Sequence, residues 1–181
     1  MKRDLYDIVR ERIVVLDGGM GTMIQRYGLR EEDYRGAEFA TWPVPLKGCN
    51  DLLVLTRPDV IGEIHRAYLD AGADIVTTDS FNANRISLAD YGLQEQAYAI
   101  GRAAAQVARR AADDYMREHP QHGPRFVSGS VGPTSKSASI ATDMNDTSRR
   151  EVDFGGLVAA YVPQIEGLVD GGADLVQFET F

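Results

Sequence analysis

Eight residues of this 181-residue chain are of a type, and at positions, that suit the binding of a small polar ligand. They are Asp17 with Gly18 and Gly19, then Thr78, Asp79 and Ser80, then Ser130, then Glu179. Each group follows an apolar run. Two or three carboxylates meeting at one mouth suit an ammonium group, and charge-assisted hydrogen bonds of that kind are the strong ones. The backbone N–H groups of a glycine turn, with hydroxyls nearby, suit a carboxylate. Together they describe a site for a small α-amino acid. The competing reading is that these residues only cap strands and helices. Against it, a charge at the end of a buried strand is costly unless it is paired or meets a ligand.

The elements that would position these residues follow from the pattern. Residues 5–10 form a short lead-in helix, with Leu5, Ile8 and Val9 on one face. Residues 13–16 are a short buried strand ending at Asp17 and then at Gly18, Gly19 and Gly21, where glycine permits a positive φ or a close backbone approach. Residues 22–27 make a helical turn. Residues 28–51 show no clear period, and a loop of that length carries function or small elements of its own. Trp42 within it is either a lid or a packed anchor. Thr56 and Asp59 read as a capping box around Pro58. The stripe Ile61, Ile64, His65, Tyr68 and Leu69 then makes His65 a packing residue rather than a ligand. Residues 73–81 are strand two, followed by the polar Asn82, Asn84 and Arg85. An alanine-rich helix covers residues 94–117, a loop carries His119 and His122, and residues 125–133 are strand three. After a polar loop, 134–150, come a helix at 151–170 and strand four at 173–181.

Residues 71–81 and 171–181 repeat one another at an offset of 100 residues. Each copy runs helix end, tight glycine, buried strand, carboxylate, hydroxyl, phenylalanine. Asp79 and Glu179 fall at equivalent places. Alternating strands and helices with parallel strands near residues 13, 74, 126 and 174 predict an α/β fold: four parallel strands with helices outside, as in the first half of a (β/α)₈ barrel or in an open doubly wound sheet. In either, ligands bind at the C-terminal ends of the strands. A full barrel takes about 250 residues. The expectation is therefore the N-terminal part of one barrel domain over residues 1–181, incomplete at its C-terminus. Strands one and four would be open edges, which invite self-association.

Composition narrows the partners. A net charge of −8 argues against nucleic acid and against an anionic membrane surface. No signal peptide and no 18-residue apolar run are present, so the reading is cytoplasmic. A single cysteine, Cys49, excludes an intramolecular disulfide. Gly19-Met20-Gly21-Thr22-Met23-Ile24 lacks the third glycine of a dinucleotide fingerprint. Gly132-Pro133-Thr134-Ser135-Lys136-Ser137 lacks the glycine before lysine of a P-loop. Asp143, Asn145 and Asp146 imitate a calcium loop without its closing glycine and glutamate. No metal-ligand spacing appears.

The segments Leu16-Asp17-Gly18-Gly19-Met20-Gly21-Thr22, Lys47-Gly48-Cys49-Asn50-Asp51, Ala71-Gly72-Ala73-Asp74, Asp79-Ser80-Phe81-Asn82, Gly132-Pro133-Thr134 and Phe178-Glu179-Thr180 resemble the homocysteine S-methyltransferase family. The likeness is to the N-terminal homocysteine-binding domain of cobalamin-dependent methionine synthases, and more distantly to betaine–homocysteine methyltransferases. It implies a barrel that binds homocysteine and zinc. The metal lowers the thiol pKa, and the thiolate takes a methyl group from methylcobalamin held on another module. By the family pattern Asp17, Gly18 and Glu179 lie at the amino-acid end of homocysteine, with Ser80 and Ser130 near it. The family's zinc ligands are three cysteines on later strands, expected downstream of Phe181, and Cys49 does not match one. The resemblance thus implies that these 181 residues hold part of the homocysteine pocket, no zinc and no cobalamin, and do not transfer methyl groups alone. The implied partners are homocysteine, the downstream half of the barrel, and folate and cobalamin modules. Alternatives are a betaine- or S-methylmethionine-type homocysteine methyltransferase, or an aldolase or isomerase barrel using Asp17 or Glu179 as acid–base.

Overall fold

A computed structural model describes residues 5–138 and 150–181. The first four residues and the calcium-like stretch with Asp143, Asn145 and Asp146 lie outside them. Three strands, β1 (Ile75–Thr77), β2 (Phe126–Val131) and β3 (Leu175–Phe178), form one parallel sheet in the order β1-β2-β3. Ile75 lies opposite Phe126, and Ser128 opposite Leu175. The lead-in helix α1 (Leu5–Glu11) precedes the segment that was expected to be strand one.

That segment is a correction to the four strands expected. It runs beside β1 but reduces to one parallel bridge, Leu16 to Ile75. Two carboxylates clasp the segment to β1. The Val15 N–H donates to Asp74 Oδ2 at 3.0 Å. The Thr77 N–H donates to Asp17 Oδ2 at 2.8 Å. The Asp17 N–H donates to the Ile75 carbonyl at 3.0 Å, and with no strand on the segment's far side among the described residues the pairing stays at one bridge. Ile13, Val15 and Leu16 are exposed there, as are Phe178 and Phe181 at the other margin.

The helices follow their apolar stripes, with adjusted starts. Helix α5 (Pro58–Asp70) begins with Pro58 in its first turn, as expected. The capping box is absent: Arg57 is the N-cap, Asp59 pairs with Arg57, and Thr56 ends a separate short helix, α4 (Leu53–Thr56). Helix α7 (Ala97–Glu118) takes the alanine-rich stretch, after α6 (Arg85–Leu88), which Asn84 caps. Helix α8 (Phe154–Asp170) is capped by Asp153, whose Oδ1 accepts the Gly156 N–H at 2.7 Å. Helices α7 and α8 touch backbone to backbone. A Cβ on Gly167 would lie 2.3 Å from the Tyr98 carbonyl, and one on Gly101 2.6 Å from that of Gln164. Side-chain-free positions are what let these helices meet so closely.

Residues 28–51 are stitched rather than loose. Helix α3 (Glu31–Arg35) carries the two residues that hold them. Glu31 accepts the N–H groups of Leu46 and Lys47 and pairs with Arg35, which donates to the carbonyls of Trp42 and Val44. Tyr34, Phe39, Leu46 and Cys49 are buried in the same core as Leu52, Ile61, Ile64 and Ile100. Trp42 donates its indole N–H to the Tyr91 carbonyl at 2.9 Å. Of the two readings of this residue, the anchor is the one the structure adopts.

Candidate functional site

The C-terminal ends of the strands open onto a cleft of about 430 Å³. That lies within the range of small-molecule pockets. Seven of the eight expected residues line it: Asp17, Gly18, Gly19, Thr78, Asp79, Ser130 and Glu179. Ser80 is wholly buried beneath. Its Oγ donates to the Ser130 carbonyl at 2.8 Å and lies 2.7 Å from Thr78 Oγ1. Thr78 Oγ1 accepts the Ser130 N–H at 2.9 Å. Because Ser80 gives its proton to the carbonyl, Thr78 must donate to Ser80. These hydroxyls therefore lock the ends of β1 and β2 together and fix Ser130.

Ser130 in turn orients an acid. Its Oγ donates to Glu179 Oε1 at 2.6 Å, a bond short enough to fix the carboxylate. Gln164 on α8 braces the floor, donating from Nε2 to the carbonyls of Ser80 at 2.6 Å and Ser130 at 3.2 Å. Opposite, Asp17 is held by the Thr77 N–H. Burial raises its pKa above the ordinary carboxylate value, and the Glu179 charge across the cleft adds to that. The two acids therefore face one space.

The glycine turn works by closeness. None of Gly18, Gly19 and Gly21 has a positive φ; Gly19 sits at −63°. A Cβ on Gly18, however, would lie 3.1 Å from the Tyr68 hydroxyl, and that hydroxyl donates to the Gly19 carbonyl at 3.2 Å. Tyr68 comes from α5 and pins the turn to the helix layer. Helix α2 (Met20–Gln25) begins directly after it.

Several cleft residues were not assigned to the site from sequence. Met20, Asn50, Asp51, Phe81, Asn82 and Gln177 also line the cleft. Asp51 is the most consequential. It is buried, accepts the Asn82 N–H at 2.8 Å, and sits close enough to raise the pKa of Asp79. A signal was present: Asp51 abuts the apolar run Leu52-Leu53-Val54-Leu55, and a carboxylate at the margin of a buried run needs a partner. Of the polar cluster after strand two, Asn84 serves as a helix cap and Arg85 pairs with Glu95 outside the cleft. His65 is fully buried on α5 away from the cleft, and neither ring nitrogen has a hydrogen-bond partner among the described residues. His119 and His122 stack on each other beside Tyr115, where His122 Nδ1 lies 2.8 Å from the Tyr115 hydroxyl.

No three His, Cys, Asp or Glu side chains converge to hold a metal ion among the described residues. Cys49 is buried, and burial pushes its thiol up to about 12. A thiol so hard to ionise is a poor metal ligand or nucleophile. No helix among the described residues is long and apolar enough to cross a membrane.

A parallel α/β sheet with a polar, carboxylate-rich cleft at its strand ends defines a class of small-ligand-binding α/β proteins. The particular family follows from comparison: a model of the homocysteine S-methyltransferases matches residues 14–181, and the chain belongs to that family. Among solved structures it is similar to the homocysteine methyltransferase MmuM from Escherichia coli. The oxidised form is 29% identical with a TM-score of 0.71, covering 95% of this chain and 55% of that one. The metallated form is 28% identical with a TM-score of 0.72, covering 97% and 56%. The chain thus spans about half the length of these relatives.

Proposed function

We propose that this chain is the first half of a (β/α)₈ barrel and supplies the amino-acid-binding wall of a homocysteine methyltransferase. The observation that carries the reading is that Asp17 and the Ser130-oriented Glu179 line one cleft at the same ends of the strands. Both carboxylates face the space an ammonium would occupy, and the glycine turn offers backbone to the ligand carboxylate. The homocysteine thiol then extends toward the rest of the barrel. There, in the complete protein, zinc would supply thiolate activation. The exposed apolar margins at Ile13–Leu16 and at Phe178 and Phe181 are the seams such a downstream half would cover.

The methyl donor separates two readings within the family. The sequence motifs favour a methylcobalamin-dependent methionine synthase with folate and cobalamin modules. The likeness to MmuM supports the alternative, a homocysteine methyltransferase of the betaine or S-methylmethionine type. Family membership argues against an aldolase or isomerase.

The test uses the complete protein. Replacing Glu179 by Gln removes one charge-assisted contact, and hydrogen bonds to charged groups contribute about 1.5–3 kcal/mol. Calorimetry should show homocysteine weakened by roughly 10- to 100-fold, with 4-mercaptobutyrate, which lacks the amine, unchanged. Equal losses for both thiols, or none for homocysteine, would refute the assignment of Glu179 to the ammonium.

A further inference from the structure

One wall of the cleft is unexplained by this reading. Asp79 is only 7% exposed, lines the cleft, and its Oδ2 has no hydrogen-bond partner among the described residues. Asp51 packs beside it, also buried and also lining the cleft, with one oxygen held by the Asn82 N–H. Asp51 lines a second, adjoining hollow of about 360 Å³ as well, so it stands where two spaces meet. The groups facing the pair are Tyr34 from α3, and Cys49 and Tyr91 from the turns on either side. All are neutral or anionic. No cationic side chain among the described residues contributes to the electrostatics of either carboxyl.

Two adjacent desolvated carboxylates cannot both stay ionised without a counter-charge. Two things can meet that demand: one retained proton, or a cation. Asp51 has a backbone N–H to stabilise its charge, so Asp79 is the member that carries the proton when no cation is bound. Burial and the neighbouring Asp51 charge both raise its pKa. A free carboxylate oxygen wants a hydrogen-bond donor. With Asp17 and Glu179 already in the cleft, an added anion is disfavoured and a positively charged donor is favoured.

We propose that Asp51 and Asp79 form a second cation subsite, distinct from the Asp17–Glu179 pole, which takes the protonated amine of a ligand in exchange for one proton. The exchange balances: the neutral Asp79 carboxyl releases its proton to solvent, and the ammonium N–H donates to the freed Oδ2. The inference rests on the cleft being a ligand site and is independent of methyl transfer.

The test uses the 181-residue chain and ethylammonium as the probe. Carbon-13 NMR of the carboxyl groups in the free protein should show one proton held by the pair at neutral pH. Calorimetry in two buffers of different ionisation enthalpy should show ethylammonium binding with release of about one proton. Tetramethylammonium, which has no N–H, should bind at least about tenfold more weakly, the worth of one charge-assisted hydrogen bond. Ethylammonium can also meet the Asp17–Glu179 pole, so the proton release is the readout of the pair: Asp79→Asn should abolish it, with circular dichroism confirming the fold. Asp51→Asn, whose amide oxygen still accepts the Asn82 N–H, should end the proton release. In the Glu179→Gln background, where the other pole is weakened, the proton release on adding ethylammonium should persist while homocysteine weakens in the complete protein, which separates this inference from the preceding one. Both carboxyls ionised in the free chain, no binding of ethylammonium, binding without proton release, or proton release that survives Asp79→Asn would each overturn it.

Discussion

Residues 71–81 and 171–181 carry matching residues in two different surroundings. In both, a glycine turns the chain through a positive φ, 104° at Gly72 and 96° at Gly172. In both, an aspartate then reaches back to the start of the preceding segment. Asp74 accepts the Val15 N–H and Asp174 accepts the Val127 N–H, each while its own N–H donates to that same residue's carbonyl. In both, an arginine closes the clasp. The environments then diverge. β1 has a partner on each side, and the Asp74 side chain is 6% exposed, gripped bidentately by Arg12 at 2.7 Å and approached by the buried Arg125 at 3.6 Å. Among the described residues β3 has a partner on one side only, and Asp174, 38% exposed, pairs with Arg109 alone. The difference teaches that the repeat encodes a joint, and that its neighbours set how much the joint is worth.

The largest effect should come from Asp74→Asn. It leaves Arg125 buried without its counter-charge, and breaking a buried pair costs about 3 kcal/mol or more. The midpoint of urea unfolding should fall accordingly. Arg12 and the Val15 N–H hold the Asp74 pKa below the ordinary carboxylate value. This contribution is therefore present above that ordinary value and is lost as pH falls through the lowered one.

Next in size is a contrast one helix back, where the repeat pairs His65 with Ile165. Burial pushes the imidazole down to about 4. The unfolded chain binds a proton near pH 6.5, and the folded one does so only near pH 4. Stability should thus be full above the higher value and fall by roughly 3 kcal/mol as pH drops through that window. His65→Ile, which copies the second unit, should flatten this part of the pH–stability curve. An unchanged slope would mean that His65 is not the group that titrates.

Asp79→Asn should act in the opposite direction. Because its pKa is raised, the fold binds a proton that the unfolded chain gives up, and stability falls as pH rises above the ordinary aspartate pKa of about 3.9. The variant removes that loss. Thermal denaturation should show a gain of about 1–2 kcal/mol at neutral pH, shrinking toward nothing in acid. The smallest effect belongs to Asp174→Asn, an exposed pair worth about 1 kcal/mol or less. A loss as large as that of Asp74→Asn would erase the contrast between the two units.

Much of this was legible in the residues themselves. Apolar runs flanked by glycine placed β1, β2 and β3 within a few positions, and helical stripes placed α5, α7 and α8, because side-chain period reports directly on which face is buried. Carboxylates and hydroxyls following those runs marked seven residues of the cleft, since strand ends and site coincide in parallel α/β folds. What sequence could not decide was which donors meet which acceptors across long separations. Residues 13–16 read as a strand because their apolarity is local, yet among the described residues they meet β1 through one bridge and the Asp17 and Asp74 carboxylates, and nothing pairs on their other side. Ser80 reads as a ligand contact, yet it is spent on the Ser130 carbonyl. Asp51 lies in a stretch without period and reaches Asp79 only once residues 28–51 are folded against α5 and α7. Periodicity is a property of neighbours in the chain; a buried charge and its partner are neighbours only in space.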